Sequence, residues 1–399
     1  MNRKNLFKKT RYGAVLPLVV LIVLLMMIIG LGVSGLGLHS RLFAIRSADE
    51  ITARAAADAA VSDAIFKMNE KLKVKPWNNS SFPAASDVAL LDSDATYDYA
   101  VTKDADGNYI VDGTGRSLHH VRTINGSLRL ASYYEYGVFA KKSIDLKHAA
   151  KVDWINNKPG DSPLQVGTAS TAGGAIALMS GSKINGKVMV GVGGDPDVVI
   201  EGKSGATITG GTDAFNYIPP LPPVTVPDPV ASMISGGLID KSKTISASGK
   251  YSGINLGINK DLTIDKPVTL YITGDVLLGN TAGIKIVNGG SLTLYVGGNI
   301  VGNNSAGFNN ATADSRNLSI YCLDTCTKIL FMNSGDFYGT IYAPNAAVGI
   351  NNSANIYGSI VSDSFILKNS GMIFYDVNLR NRTVNDLGVR FVINRWSEN

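Results

Sequence analysis

At 399 residues the chain is too long for one ordinary core, so two or three structural units are expected. Its 43 glycines and 17% charged residues suit a Gly- and Asn-punctuated β protein better than a helical enzyme. The net charge of +5 does not point to nucleic acid, because Arg3, Lys4, Lys8, Lys9 and Arg11 cluster before the first apolar run, as a membrane-flanking segment does.

That run, Ala14 to Leu38, is twenty-five residues without a charge. A spanning helix needs about 20, whereas the apolar part of a cleavable secretory signal is only about 7–15 residues long. No Ala-x-Ala exit follows, so the run reads as an anchor. The basic residues ahead of it, against Arg41 and Arg46 behind, place the N-terminus in the cytoplasm and everything after residue 40 outside. From Arg41 to Leu72 the chain is Ala-rich and free of Gly and Pro. Leu42, Ile45, Ala48 (or Asp49), Ile51 (or Thr52), Ala55 and Ala59 keep a helical spacing on one weakly apolar face. One helix over about 14–72 is predicted, roughly 90 Å long at 1.5 Å per residue.

Basic residues, then "RYGAVLPLVVLIVLLMMIIGLG", then an Ala-rich amphipathic segment resemble the N-terminus of the PilX-type minor pilins of type IV pilus systems. The resemblance implies a bacterial inner-membrane protein cut by prepilin peptidase after Gly13, so that the mature chain begins at Ala14. It also implies a stem that packs with other pilin subunits. Major pilins carry Glu at the fifth mature position, which here is Leu18; PilX-type sequences commonly lack it. An uncleaved single-pass anchor is the alternative.

Residues 76–93 read as loop, with "PWNNSSFP" too polar and Pro-punctuated for regular structure. The next stretch, to about residue 138, alternates apolar and polar residues around Asp-Gly and Asn-Gly turns, which predicts a small antiparallel meander. "DADGN" reads as a hairpin turn rather than a calcium loop, because no Glu arrives at the twelfth place.

Beyond Ala140 an apolar-x-Gly-x-apolar motif recurs at Ile184–Val188, Ile272–Val276, Val296–Ile300, Phe337–Ile341 and Ile356–Ile360, with a partial copy at Ile208. Starts lie twenty-four apart at 184 and 208 and at 272 and 296, and nineteen apart at 337 and 356. Such periods mark stacked units. Each copy reads as a short strand with Ile, Val or Phe inward, Gly at the bends, and Asn-Ser at the corners. The corner pairs Asn333-Ser334, Asn352-Ser353 and Asn369-Ser370 recur at spacings of nineteen and seventeen. A parallel β-helix follows, with insertions such as residues 303–317. The six prolines of residues 217–229 forbid helix and central strand. That segment is expected to cross the outside of a single solenoid. The closing "GVRFVINRWSEN" alternates like one last strand, with Trp396 covering apolar surface.

"AKKSIDLKHAAKVD", "SGATITGG" before the Pro-rich crossing, and "GDFYGTIYAPNAAV…YGSIVS" resemble the solenoid domain, of unassigned function, that accompanies PilX-type N-termini. The expected fold is therefore α+β. A leader (1–13), a transmembrane segment (14–38) and a helical stem (39–75) precede a junction loop and meander (76–138). A parallel β-solenoid (139–380) and a C-terminal strand or tail (381–399) complete it.

Little in the sequence points to chemistry. Asp195 and Asp197 are a close pair that reads as a turn, and His39, His119, His120 and His148 join no catalytic or metal spacing. No cofactor and no metal is expected. Cys322 and Cys326 either close a small disulfide loop or stay as two thiols. Tyr338, Tyr342 and Tyr357 are expected to face outward, where they would bind a glycan, a surface or a neighbouring subunit. The reading is a non-enzymatic pilus assembly protein with an extracytoplasmic, adhesive head. A pilus-independent adhesin and a polysaccharide-degrading β-helix are the alternatives.

Overall fold

In the computed structural model, which describes residues 15–118, 120–155, 163–332, 335–351, 353–386 and 388–398, the apolar run opens a single helix, α1 (Val15–Leu72). Pro17 lies in its first turn, where a missing N–H costs nothing. The helix tightens at its end, with Lys73 N–H donating to Glu70 O and Val74 N–H to Lys71 O. It stops before Lys75, whose position ahead of Pro76 disfavours helical backbone. Val15 through Arg46 are exposed along their whole length.

The chain divides into two compact units, Leu130–Arg390 and the remainder. In the remainder, α1 buries Ala53, Ala56, Ala57, Ala60, Val61, Ala64 and Met68 against an antiparallel sheet. This stripe is displaced from Ile51, which is 68% exposed, and from exposed Ala55, and lies nearer the alternative positions Asp49 and Thr52, which are half-buried. The reason is local. The sheet offers glycines, and a methyl group on Gly115 would sit 2.1 Å from Ala53 O, so only small helix residues fit there.

That sheet runs in the order β1 (Ala84–Ala89), β2 (Thr96–Lys103), β3 (Tyr109–Ser117), β4 (His120–Ser132), then the strand Val389–Glu398. The meander is as predicted, and "DADGN" makes the hairpin turn, with Asn108 N–H on Asp104 Oδ1 at 2.7 Å. Two expectations change. β1 lies inside the stretch read as loop; it is an edge strand broken by an irregularity between Ala85 and Val88, so its alternation never shows in the sequence. The closing strand belongs to this sheet, where Asn69 and Phe391 exchange backbone–side-chain bonds of 2.8 and 3.1 Å. Trp396, expected to cover apolar surface, is 53% exposed.

The unit Leu130–Arg390 is built of parallel strands in register. One row joins Gly253–Leu256, Val276–Leu278, Ile300–Gly302 and Lys328–Phe331. A second joins Pro267–Ile272, Ser291–Val296, Leu318–Cys322 and Phe337–Ile350. A third joins Lys243–Ile245, Asp261–Ile264, Gly283–Ile286 and Gly307–Asn310. Inward residues such as Leu270, Leu294 and Ile320 lie opposite one another and are fully buried. Each such side chain contributes about 1.5–3 kcal/mol by leaving water.

In three copies the repeated motif marks a corner between strands, whereas Phe337–Ile341 and Ile356–Ile360 each lie within one strand, as expected. Ile184 ends one strand and Val188 lies in the next, and the same holds for Ile272 and Val276. Its glycine is required where backbones meet. Gly358 has φ +150°, and a methyl group there would lie 1.8 Å from Gly339 O. Copies twenty-four or nineteen residues apart do sit opposite each other: Ile184 and Ile208, Ile272 and Val296, Phe337 and Ile356. At the corners, serine hydroxyls bridge to backbone carbonyls, Ser353 to Asn369 O at 2.8 Å and Ser370 to His148 O at 3.1 Å. Asn333, Ser334 and Asn352 lie outside the described residues.

The order of strands departs from chain order. β5 (Val138–Leu146), near the start of this unit, pairs with Asn355–Leu367 on one side and with Gln165–Thr168 and Ile176–Leu178 on the other. The chain therefore enters mid-row. It builds toward Thr212–Ala214 at one end, resumes near Leu238 at the other, and returns to β5. Between those ends runs the Pro-rich segment, with Leu221, Val224 and Val226 packed on the core.

Candidate functional site

Three neighbouring strands, Phe337–Ile350, Asn355–Leu367 and Met372–Tyr375, carry an outward aromatic row. Phe337, Ile356 and Ile373 point inward and lie opposite one another, so the residue after each points out. Register sets Tyr338 against Tyr357 and Tyr357 against Phe374. The rings stack, the first pair at 4.2 Å and 5° and the second at 5.0 Å and 15°. Each stack is worth about 0.5–1.5 kcal/mol beyond the area it buries. All three rings are half-buried.

Asp336 borders the row and accepts from Asn355 Nδ2 at 3.0 Å. Partial burial, then the Asp336 charge and a hydrogen bond with Tyr338, push the Tyr357 phenol above its ordinary value. On the far side of Tyr338 a cleft of ≈ 470 Å³ opens toward the strand Gly307–Asn310, with exposed Asn309 and half-buried Lys285 in its wall. The Lys285 ammonium rests 2.7 Å from Asp261 Oδ2.

Part of the cleft wall comes from the stretch 303–317, where Gly307–Asn310, expected as part of an inserted loop, is instead a regular strand in register with Gly283–Ile286. Asn310 occupies an inward position and is 3% exposed. Its Nδ2 donates to Asp314 O at 2.8 Å and to Tyr338 O at 3.1 Å, tying the inserted loop to the strand that carries the aromatic row. Asp314 caps the following turn through Arg316 N–H at 2.9 Å, and the Arg316 guanidinium holds its carboxyl below the usual carboxylate range.

Tyr342 is not part of this surface. It points outward, as expected, but is 1% exposed. It belongs to a second row that includes Tyr295 and Tyr321, and Tyr133 stacks on its ring at 4.8 Å and 25°. Its Oη donates to Pro222 O at 2.9 Å, beneath the Pro-rich segment. The sequence reading found Tyr338 and Tyr357 but missed Phe374. The seventeen-residue spacing of the last Asn-Ser corners, applied to Tyr357, would have found it.

Cys322 and Cys326 are free, buried and hydrogen-bonded to each other; that bond and burial push the Cys322 thiol well up. Asp195 caps a single helical turn, accepting from Asp197 N–H at 3.0 Å. Among the described residues no group of three or more His, Cys, Asp or Glu is placed to hold a metal ion. Gly13, Ala14 and His119 lie outside the described residues.

A domain of unknown function, DUF7305, matches residues 223–382, which span the aromatic row and the cleft. No curated protein matches the chain in sequence. Among solved structures, the competence-associated pilin ComZ from Thermus thermophilus is similar at 12% identity and a TM-score of 0.31, over 88% of this chain and 97% of that one. An ice-binding protein from the Antarctic ascomycete Antarctomyces psychrotrophicus is similar at 14% identity and a TM-score of 0.24, over 60% of this chain and 94% of that one. Likeness at these TM-scores carries nothing about ligand or assembly from either protein to this chain.

Proposed function

We propose that the protein is a non-enzymatic, pilin-like component of a type IV pilus-type assembly, anchored in the bacterial cytoplasmic membrane before it reaches the pilus or cell surface. The observation that carries this reading is α1. Its first half is exposed and without charge as far as Leu38, while its second half packs small residues onto a sheet. A helix of this composition requires apolar surroundings for its first half. The bilayer supplies them first, and the stems of other subunits replace it on assembly. The sequence resemblance to PilX-type minor pilins supports the same reading, including a prepilin peptidase cut between Gly13 and Ala14. The basic flank supports a cytoplasmic N-terminus with the rest of the chain outside.

The in-register parallel rows and the corner glycines support reading the Leu130–Arg390 unit as one β-solenoid, crossed on its outside by residues 217–229. On this reading the solenoid is a scaffold for surface display. Mass spectrometry of the chain recovered from sheared surface filaments tests the proposal. A mature chain beginning at Ala14 and co-purifying with other pilins is the expected result. An intact Met1, confined to the membrane fraction, overturns it in favour of a pilus-independent anchored adhesin.

A further inference from the structure

We infer that the cleft between Asn309 and Tyr338 is a carbohydrate-binding site for neutral pyranose units, with the Tyr338 ring as its platform. The aromatic row cannot bind along its length. At 4.2 and 5.0 Å the rings already occupy each other's faces, leaving no gap for a ligand. A stack of three has only two free faces, one at each end. Tyr357 covers one face of Tyr338, and Tyr338 lines the cleft, so the platform is assigned to its other face.

A free tyrosine face presents the negative side of its quadrupole, which attracts the polarised C–H groups on the flat face of a pyranose. Around it stand Asn309, which both donates and accepts, Asp336, which accepts, and Lys285, which donates. Sugar hydroxyls do both, so this mixed rim pairs with them in either sense. The charge balance argues against anions: among the described residues of the wall Lys285 is the one cation, and it is already paired with Asp261, while Asp336 adds a negative charge. A phosphate or nucleotide would meet a carboxylate without a free cation. At ≈ 470 Å³ the cleft falls within the usual range for small-ligand sites, about 300–1,000 Å³. The Asn310 clamp fixes its two walls before any ligand arrives.

The test uses the full chain in detergent micelles. Galactose, mannose, N-acetylglucosamine and their β1,4-linked dimers are titrated by calorimetry and by saturation-transfer NMR. At least one probe should bind, with transfer to its ring C–H protons. Tyr338→Ala and Asn309→Ala should each weaken binding by about tenfold or more, and Tyr338→Phe should retain it. Asn309 is exposed, so its variant decides the matter even if Tyr338→Ala fails to fold. No binding of any probe at about 10 mM overturns the inference, as does binding unchanged in both alanine variants or displaced by AMP. The measurement does not depend on assembly, so it stands or falls separately from the pilus reading.

Discussion

Tyr338 and Tyr342 stand four residues apart on one strand and have opposite environments. Both point away from the aliphatic interior. Tyr338 remains half-buried on an open row, whereas Tyr342 is 1% exposed beneath the Pro-rich segment. The strand's alternation decides only which side of the wall a residue faces. Whether that side meets water is decided by chain more than a hundred residues away: Tyr342 donates to Pro222 O. The covered row acts as a second core outside the first, and the open row is available for recognition.

This comparison is broken or sharpened most strongly by truncating the covered row. Tyr342→Ala should destabilise the Leu130–Arg390 unit by about 3–5 kcal/mol, the usual cost of removing a buried aromatic side chain. Denaturant unfolding of the full chain, followed by near-ultraviolet circular dichroism, measures it. A loss below about 1 kcal/mol would mean that residues 217–229 do not cover this face in solution.

The next effect is alkaline. Burial pushes the phenols of Tyr295, Tyr321 and Tyr342 well above their ordinary value. In the unfolded chain each loses its proton near pH 10, while the folded chain retains it. The unfolded state therefore binds fewer protons above that pH, and stability falls as pH rises through the interval between the two values. Each buried tyrosine costs up to about 1.4 kcal/mol per pH unit there. Phenolate absorbance should show these tyrosines ionising together with unfolding, not before it. Tyr342→Phe at neutral pH is milder: losing the bond to Pro222 while keeping the ring should cost about 1 kcal/mol.

Much of the scaffold was legible in the sequence because its determinants are periodic. The spacings of twenty-four and nineteen are the actual strand register, as Ile184 against Ile208 and Phe337 against Ile356 show. The uncharged run and the Gly- and Pro-free stretch behind it predicted one continuous helix ending at Leu72, where α1 ends. What was not legible depends on long-range contact. Nothing in "VFAKKSIDL" says that it will lie between strands from opposite parts of the unit. The Ala53 to Met68 stripe is defined by glycines on a sheet, not by helical hydrophobicity, so the spacing of weakly apolar residues alone could not choose between Ile51 and Thr52 as the inward position. In the candidate site, Tyr338 and Tyr357 were visible as repeats. Asn309 and Asp336 were not, because Asn309 lies on a strand read as inserted loop and Asp336 stands just before the repeated motif.

The most discriminating truncation is on the open row. Tyr357 sits in the middle of the open row and makes two ring stacks, yet it is only half-buried. Its side chain fills no enclosed space, so Tyr357→Ala leaves a solvated notch rather than a cavity. The cost should be little more than the two stacks, about 1–3 kcal/mol, and below that of Tyr342→Ala. The variant also removes the backing that fixes the Tyr338 ring while leaving its cleft-side face in place. Saccharide binding should then weaken by only a few-fold, against about tenfold or more for Tyr338→Ala. If Tyr357→Ala instead destabilises the unit as much as Tyr342→Ala, the open row is covered in solution, and the distinction between the two rows fails.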